Sequence, residues 1–318
     1  MDINQSGSKY FTLQQIADDV YAAIATGGVA SCNTGLIDLG GQVVIFDTFL
    51  TPQAAQDLRK TAYNLFGRTQ QIVVNSHWHN DHIWGNQVFA REAQILSSSR
   101  TRQLIAEKSP KEAEWYKANA AQELAAYQSQ LQTASGEKRN EILLLIGEDE
   151  GLIEALPHFS LCLPSITFDQ HLTLHGTKRS AELISFENGH TASDTVLYLP
   201  REGVLFMSDL LFVNFHPYLG SGDPQGQQVA LRALIQMEAK YFVPGHGPIG
   251  TREDLQKLIN YIDYCTETAQ SLVGQGMGYE NKIAGLRMAE LYQNWQIPSF
   301  FIENVSFLCK RLDMTTSK

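Results

Sequence analysis

Residues 76–85 read SHWHNDHIWG, and this stretch decides how the rest of the chain is read. Four side chains of metal-ligand type, His77, His79, Asp81 and His82, fall within six positions. Just upstream, QQIVVN carries the apolar run Ile72, Val73, Val74, the mark of a short buried strand. The four side chains therefore sit on a loop leaving a strand end, where α/β sheets place their chemistry. In an extended loop alternate side chains point the same way, so His77 and His79 can converge on one ion. Asp81 and His82 then turn toward a second position. The plainer reading is a pair of surface histidines and a helix-capping aspartate, and the density of ligand types argues against it.

Working outward, residues 20–25, 35–39 and 42–46 read as strands, with Gly40-Gly41 as the hairpin turn between the last two. Asp47 and Thr48 end the third strand, and residues 52–66 follow as an amphipathic helix. A short strand near 93–96 closes this half. From about 98 to 154 the composition shifts to Ala, Glu, Gln, Lys and Leu. Pro110 is expected to open a long helix carrying Trp115, Leu124, Tyr127 and Leu131 at roughly helical spacing, with a second helix over 138–146. Strands return at 165–168, 171–174, 182–186, 195–199 and 204–207. A helix follows over 225–239, then a short strand at 241–243 that runs into PGHG. Residues 253–312 read as helical, with breaks at 274–278 and at Pro298. Two strand-rich halves, each with outer helices, imply two sheets packed face to face.

Three more ligand-type residues fall at strand-to-loop junctions: His190 in NGHTASD, Asp209 in VLFMSDL and His246 in VPGHG. Histidine and carboxylate are the donors expected for zinc and neighbouring divalent ions.

The ordered set H-W-H-N-D-H, G-H-T, S-D-L and P-G-H-G resembles the metallo-β-lactamase-fold metallohydrolase superfamily, over about residues 20–250. The resemblance implies an α/β fold: an αββα four-layer sandwich of two mixed β-sheets with outer helices. A helical insertion at about 98–160 and a helical C-terminus are added to it. Residues 1–250 would form the sandwich domain with its insertion, and 251–318 a helical extension packed on it. The resemblance also implies a dinuclear site at the sandwich edge. Carried over, His77, His79 and His190 hold one cation, Asp81, His82 and His246 hold the other, and Asp209 bridges them. GHTASDTVLYLP looks like the matching stretch of true metallo-β-lactamases, but those carry Cys or Ser where Asp209 stands. A bridging Asp is instead the pattern of hydroxyacylglutathione hydrolases, acyl-homoserine lactonases and transfer-RNA-processing nucleases. Flavo-diiron oxidoreductases have Glu at the second histidine position, where this chain has His79.

The implied chemistry is hydrolysis by a metal-bridging hydroxide. Two divalent cations lower the pKa of shared water from about 15.7 toward about 7, so no Ser or Cys nucleophile is needed. Zinc is the expected metal, with iron or manganese as alternatives. The expected substrate is a small molecule with an acyl-type bond: thioester, lactone, ester or β-lactam. A phosphodiesterase on the same site is one alternative. A mononuclear-iron dioxygenase of the persulfide-dioxygenase type is another. Asp81 and Asp209 are the candidates to receive a proton, and Asp47 to orient a ligand histidine. His216 and Tyr218, after Asp209, and Trp115 and Tyr127, on the insertion, are candidate substrate contacts. Trp78 and Trp84 lie inside the ligand loop, as cleft or as packing.

Composition bounds the rest. The 318 residues are 43% hydrophobic and 18% charged, enough to bury a core, and the formal net charge of −10 weighs against a nucleic-acid partner. The start, MDINQSGSKY, has no apolar region of signal-peptide type, and no apolar run reaches the length of a membrane span. Cys32, Cys162, Cys265 and Cys309 form no C-x-x-C pair and read as free thiols of a reducing cytoplasm.

Overall fold

A computed structural model of the chain describes residues 7–67, 70–275 and 278–316. Among these residues a seven-stranded sheet runs in sequence order: β1 (Phe11–Ala17), β2 (Val20–Ala25), β3 (Thr34–Asp38), β4 (Val43–Phe46), β5 (Gln71–Val74), β6 (Ala93–Ser98) and β7 (Ile166–Phe168). β1 to β4 pair antiparallel and β4 to β7 pair parallel, so the sheet is mixed. The second sheet has the order β12 (Tyr241–His246), β11 (Val204–Phe212), β10 (Ser193–Leu199), β9 (Ser180–Glu187) and β8 (His171–His175). There only β11 and β12 pair parallel. β4 and β5 are buried at every position, as expected of parallel strands covered on both faces.

Local chemistry fixes the connections. α1 (Pro52–Phe66) starts at Thr51, whose hydroxyl accepts from the Ala54 amide, with Pro52 in the first turn, and it ends at Gly67 in the left-handed region. After β5 come two short helices, α2 (Asn80–Ile83) and α3 (Asn86–Phe89). α4 (Ser99–Leu131) and α5 (Gly136–Ala155) form a helical hairpin between β6 and β7. Beyond it lie α6 (Pro224–Leu234), α7 (Arg252–Gly274), α8 (Glu280–Ile283) and α9 (Ser299–Thr316).

The layers follow from which faces are apolar. Ile37, Val44, Phe46, Ile72 and Val74 of the first sheet pack on Leu183, Leu197, Val204, Phe206 and Val243 of the second. The outer face of the first sheet packs on Leu58 and Ala62 of α1 and Phe89 of α3. The outer face of the second packs on Leu231 and Leu234 of α6, Leu255, Leu258 and Ile262 of α7, and Phe301 and Val305 of α9. The architecture is therefore αββα. Each fully buried Val, Leu, Ile or Phe contributes about 1.5–3 kcal/mol. Dozens of such side chains are buried, and none of them is a ligand at the edge. Among the described residues no helix is long and apolar enough to cross a membrane.

Several elements depart from the sequence reading. β1 was not foreseen, because FTLQQIA alternates only weakly; its Phe11 and Leu13 are nevertheless buried. Pro110 does not open a helix. α4 starts at Ser99, capped by Ser98, whose hydroxyl accepts from the Thr101 amide, and Pro110 lies inside it. Buried Leu104, Ile105 and Ala113 flank the proline, and this packing outweighs the lost backbone bond. α5 extends to Ala155, well past 146, and α6 stops at Leu234 rather than 239. β11 runs to Phe212, so Asp209 lies within a strand rather than at its end; the pairing shifts register at Ser208, which has φ +48°. Residues 276 and 277, in the expected break at 274–278, lie outside the described residues.

Candidate metal centre and its cavity

The loop after β5 and the ends of β10, β11 and β12 meet at one edge of the sandwich. Backbone bonds between the halves hold the edge together: Thr195 N donates to Ser76 O at 2.8 Å, and Asn33 N to Gly245 O at 2.7 Å. The seven residues His77, His79, Asp81, His82, His190, Asp209 and His246 converge there, in two groups.

In the first group His77 Nε2 lies 3.0 Å from His79 Nδ1, and His190 Nε2 lies 3.1 Å from the same atom. Asp209 Oδ2 is 3.3 Å from His190 Nε2 and 3.8 Å from His77 Nε2. In the second group Asp209 Oδ1 is 3.1 Å from His82 Nε2 and 3.4 Å from His246 Nε2. Asp81 Oδ2 is 3.4 Å from each of those two nitrogens. The two oxygens of Asp209 thus face different groups. Donors around a tetrahedral zinc-type ion at about 2.0–2.1 Å stand about 3.3 Å apart, the spacing seen in both groups.

Two further observations test whether this set fits cations. His82 Nε2 and Asp209 Oδ1 are buried and make no hydrogen bond, despite lying 3.1 Å apart. Orphaned buried polar atoms are rare, and a cation between these two satisfies both. Gly245 also leaves the room that Asp209 needs: a Cβ there would stand 1.8 Å from Asp209 Oδ1. The residues fit two divalent cations.

Three of the remaining ring nitrogens, on His77, His79 and His82, are held so that lone pairs point inward. His82 Nδ1 donates to Asp47 Oδ2 at 2.8 Å. Asp47 also accepts from the Ser76 amide and from the Ser76 and Ser208 hydroxyls. Ser76 Oγ, with its proton on Asp47, accepts from His77 Nδ1 at 2.9 Å. His79 Nε2 donates to Ser221 Oγ at 2.9 Å. Asp47 is fully buried at φ +65°, a conformation Asp tolerates better than most residues.

The two groups differ electrostatically. Burial, reinforced by neighbouring histidines, holds His77 well below its usual range, His79 at about 3 and His190 at about 4. These rings are neutral and ready to coordinate. Burial also disfavours charge on His246, but Asp209 and Asp81 outweigh it and raise it to about 9. Against the same burial, Cys32, Asp81, Asp209 and Asp47 hold His82 well above the usual range. In the metal-free protein, protons therefore stand where the second cation would.

A cavity of about 380 Å³ opens onto this cluster. Trp78, Phe212, Phe215, Tyr218 and Phe300 give it an aromatic wall, and Leu144 and Leu145 of α5 face them. Tyr218 reaches over the cluster, its ring centroid 6.4 Å from that of His79. His216 also reaches the wall, but its ring is buried: Nδ1 shares a hydrogen bond with Tyr261 Oη at 2.8 Å, and burial lowers it to about 4. It is a neutral packing histidine rather than a donor of charge.

The insertion does wall the cavity, but through other residues than expected. Trp115 is 48% exposed and packs edge-on against Tyr116, and Tyr127 lies away from the cavity. Tyr116 and Glu112 of α4 and Glu148 of α5 take their place. A turn of the helix by one residue is a rotation of about 100°, which loose periodicity does not resolve. Trp78 lines the cavity, while Trp84 is core packing against Phe159. Glu112, Tyr116, Glu148, Ser221 and Phe300 carried no motif signal. Ser76 and Ser208 did carry one, since each immediately precedes a ligand-type residue.

The family profile described as metallo-beta-lactamase superfamily matches residues 27–246. A metallo-beta-lactamase from Pontibacter korlensis superposes with a TM-score of 0.58 at 19% identity, over 80% of this chain and 99% of that one. The stereoselective inverting sec-alkylsulfatase Pisa1 from Pseudomonas sp. superposes with a TM-score of 0.69 at 14% identity, over 94% of this chain and 50% of that one. At such identities both likenesses speak to the fold. No curated protein matches the chain.

Proposed function

The chain belongs to the metallo-beta-lactamase superfamily, and from that premise we propose that it is a dinuclear zinc-dependent hydrolase of a small molecule with an acyl-type bond: thioester, lactone, ester or β-lactam. Family and donor set together support a metal-dependent hydrolase. The observation that carries the dinuclear reading is the division of Asp209, with Oδ2 toward the first histidine group and Oδ1 toward the second. His77, His79 and His190 would hold one cation, and Asp81, His82 and His246 the other. When bound, such a pair supplies Lewis acidity to the scissile group and makes water a nucleophile near neutral pH.

The chain's own residues do the rest. The Asp81 carboxylate, at the cavity wall, takes the proton of the attacking water. Asp209 holds the two groups at fixed separation. Asp47 keeps Nδ1 of His82 protonated, which leaves Nε2 as the inward donor. Tyr218 and the aromatic wall orient the substrate and thin the water around it.

The wall also bears on the bond cleaved. Its residues include no lysine or arginine, and the two carboxyls of Glu112 and Glu148 belong to it. A sulfate ester, like the substrate class in the Pseudomonas neighbour's title, or a phosphodiester would find no lysine or arginine on such a wall to pair its charge. A neutral acyl group needs none. The test is a panel of lactone, thioester, ester, β-lactam, phosphodiester and sec-alkylsulfate substrates with zinc-loaded protein. Turnover of an acyl substrate is expected. Turnover confined to the sulfate or the phosphodiester would overturn the acyl reading, and a requirement for one iron and dioxygen would overturn hydrolysis altogether.

A further inference from the structure

The two insertion helices each place one glutamate in the cavity wall, Glu112 from α4 and Glu148 from α5. Neither has an ion-pair partner among the described residues. Glu112 Oε2 is buried and makes no hydrogen bond. Lys108, one turn before Glu112, lies over the Trp78 ring at 5.8 Å and is not part of the wall. Burial, and after it the nearby Asp81 carboxylate, raises Glu112 to about 7 and Glu148 to about 8, so a cation seated beside them is what favours their charged forms. Away from the histidines and aspartates of the metal edge, the wall is mostly aromatic and aliphatic. Trp78, Tyr116, Phe215, Tyr218 and Phe300 line the same cavity. Carboxylates beside aromatic faces form the environment that recognises an organic ammonium, by charge on one side and ring quadrupole on the other.

We propose that Glu112 and Glu148 are specificity-determining residues, and that the substrate of this cavity carries an organic ammonium group on an apolar body. The inference names the substrate class for the hydrolase proposed above. It concerns the wall of the cavity and not the cations, so the two readings fail separately. In the complex the ammonium sits against the glutamates of the insertion, and the scissile bond is turned toward the edge where Asp81 and Asp209 stand. An anionic substrate gains nothing from the wall.

The probes are phenyltrimethylammonium and its neutral isostere tert-butylbenzene, which match in shape and carry no acidic or metal-binding group. Binding to the zinc-loaded protein is measured by titration calorimetry. The cation should bind about tenfold more tightly than the isostere. Glu112→Gln and Glu148→Gln should each shrink that ratio, and the double variant should bring it close to one. Metal content and binding of the neutral probe should be unchanged in all three. Equal affinity of the two probes for the wild-type protein overturns the inference. So does a preference for the cation that survives in the double variant. If the cation is preferred and the preference is lost with the glutamates, the inference stands even where no acyl substrate turns over, and the acyl-hydrolase reading alone falls. As a second readout, kcat/KM is compared for p-nitrophenyl esters ending in a trimethylammonium or a tert-butyl group, where the same ratio should appear.

Discussion

Asp47 Oδ2 lies 2.8 Å from His82 Nδ1, and both side chains are completely buried. The same carboxylate gathers the Ser76 amide and the Ser76 and Ser208 hydroxyls, so one residue at the end of β4 ties together the loops that carry His77, His82 and Asp209. Asn in its place keeps the acceptor for the Ser76 amide and tolerates the positive φ, but removes the charge. Asp47→Asn should weaken the cation at His82 about 10- to 100-fold and leave the one at His77, His79 and His190 nearly unchanged. Competition with a chelator, read as two separate affinities, checks this. Loss at neither position would mean that Asp47 only terminates its strand, and equal loss at both would mean that it supports the whole edge rather than the His82 position.

Gly245 makes a second prediction. A methyl group there would stand 1.8 Å from Asp209 Oδ1 and 2.9 Å from the Ser208 carbonyl carbon. Gly245→Ala should therefore push the Asp209 carboxylate off its position. The variant should fold, with a stability loss of about 1–3 kcal/mol typical of overpacking, but bind less metal than the wild type. Elemental analysis beside a melting curve separates the two effects. Unchanged metal content in a folded variant would show that the cations do not need Asp209 where it stands.

Much of this was legible in the chain itself. Strand ends followed by His77, His190 and His246 announced the edge of the sandwich, and QIVV announced a buried strand, because these patterns are local. The contribution of the insertion was not legible to the residue. Trp115 and Tyr116 are equally aromatic in sequence, and only the rotation of α4 decides that Tyr116 meets the cavity. Pro110 misled because its local preference for a first turn was overridden by packing on either side of it. Glu112 and Glu148 lie 36 positions apart on different helices and share no motif, so their lining one cavity is purely tertiary.

Tyr116→Ala should accordingly raise KM and lower kcat/KM by about tenfold, whereas Trp115→Ala should leave both unchanged. Steady-state kinetics on the two variants decides it. The reverse pattern would mean that the helix sits against the substrate on another face.

Loading should depend on pH at one position and not at the other. His246, held at about 9, carries a proton at pH 7 in the metal-free protein, and a cation must displace it. Affinity at that position should rise about tenfold per pH unit for each displaced proton, levelling off above about pH 9. His79 and His190, at about 3 and about 4, are already neutral, so affinity at their position should be flat across the neutral range. Zinc titrations at pH 6, 7 and 8 should show one steady and one strengthening site. Two sites with the same slope would contradict this electrostatic division.

The most direct measurement is the number of cations per chain in wild type and in Asp209→Ala, by elemental analysis after zinc loading at pH 8. With the two oxygens of Asp209 facing separate groups, the wild type should hold about two divalent cations. Asp209→Ala should hold fewer and lose hydrolysis, with its two-sheet frame intact by circular dichroism. A single tightly bound iron in the wild type, or a variant that keeps both its metal and its activity, would contradict the dinuclear account.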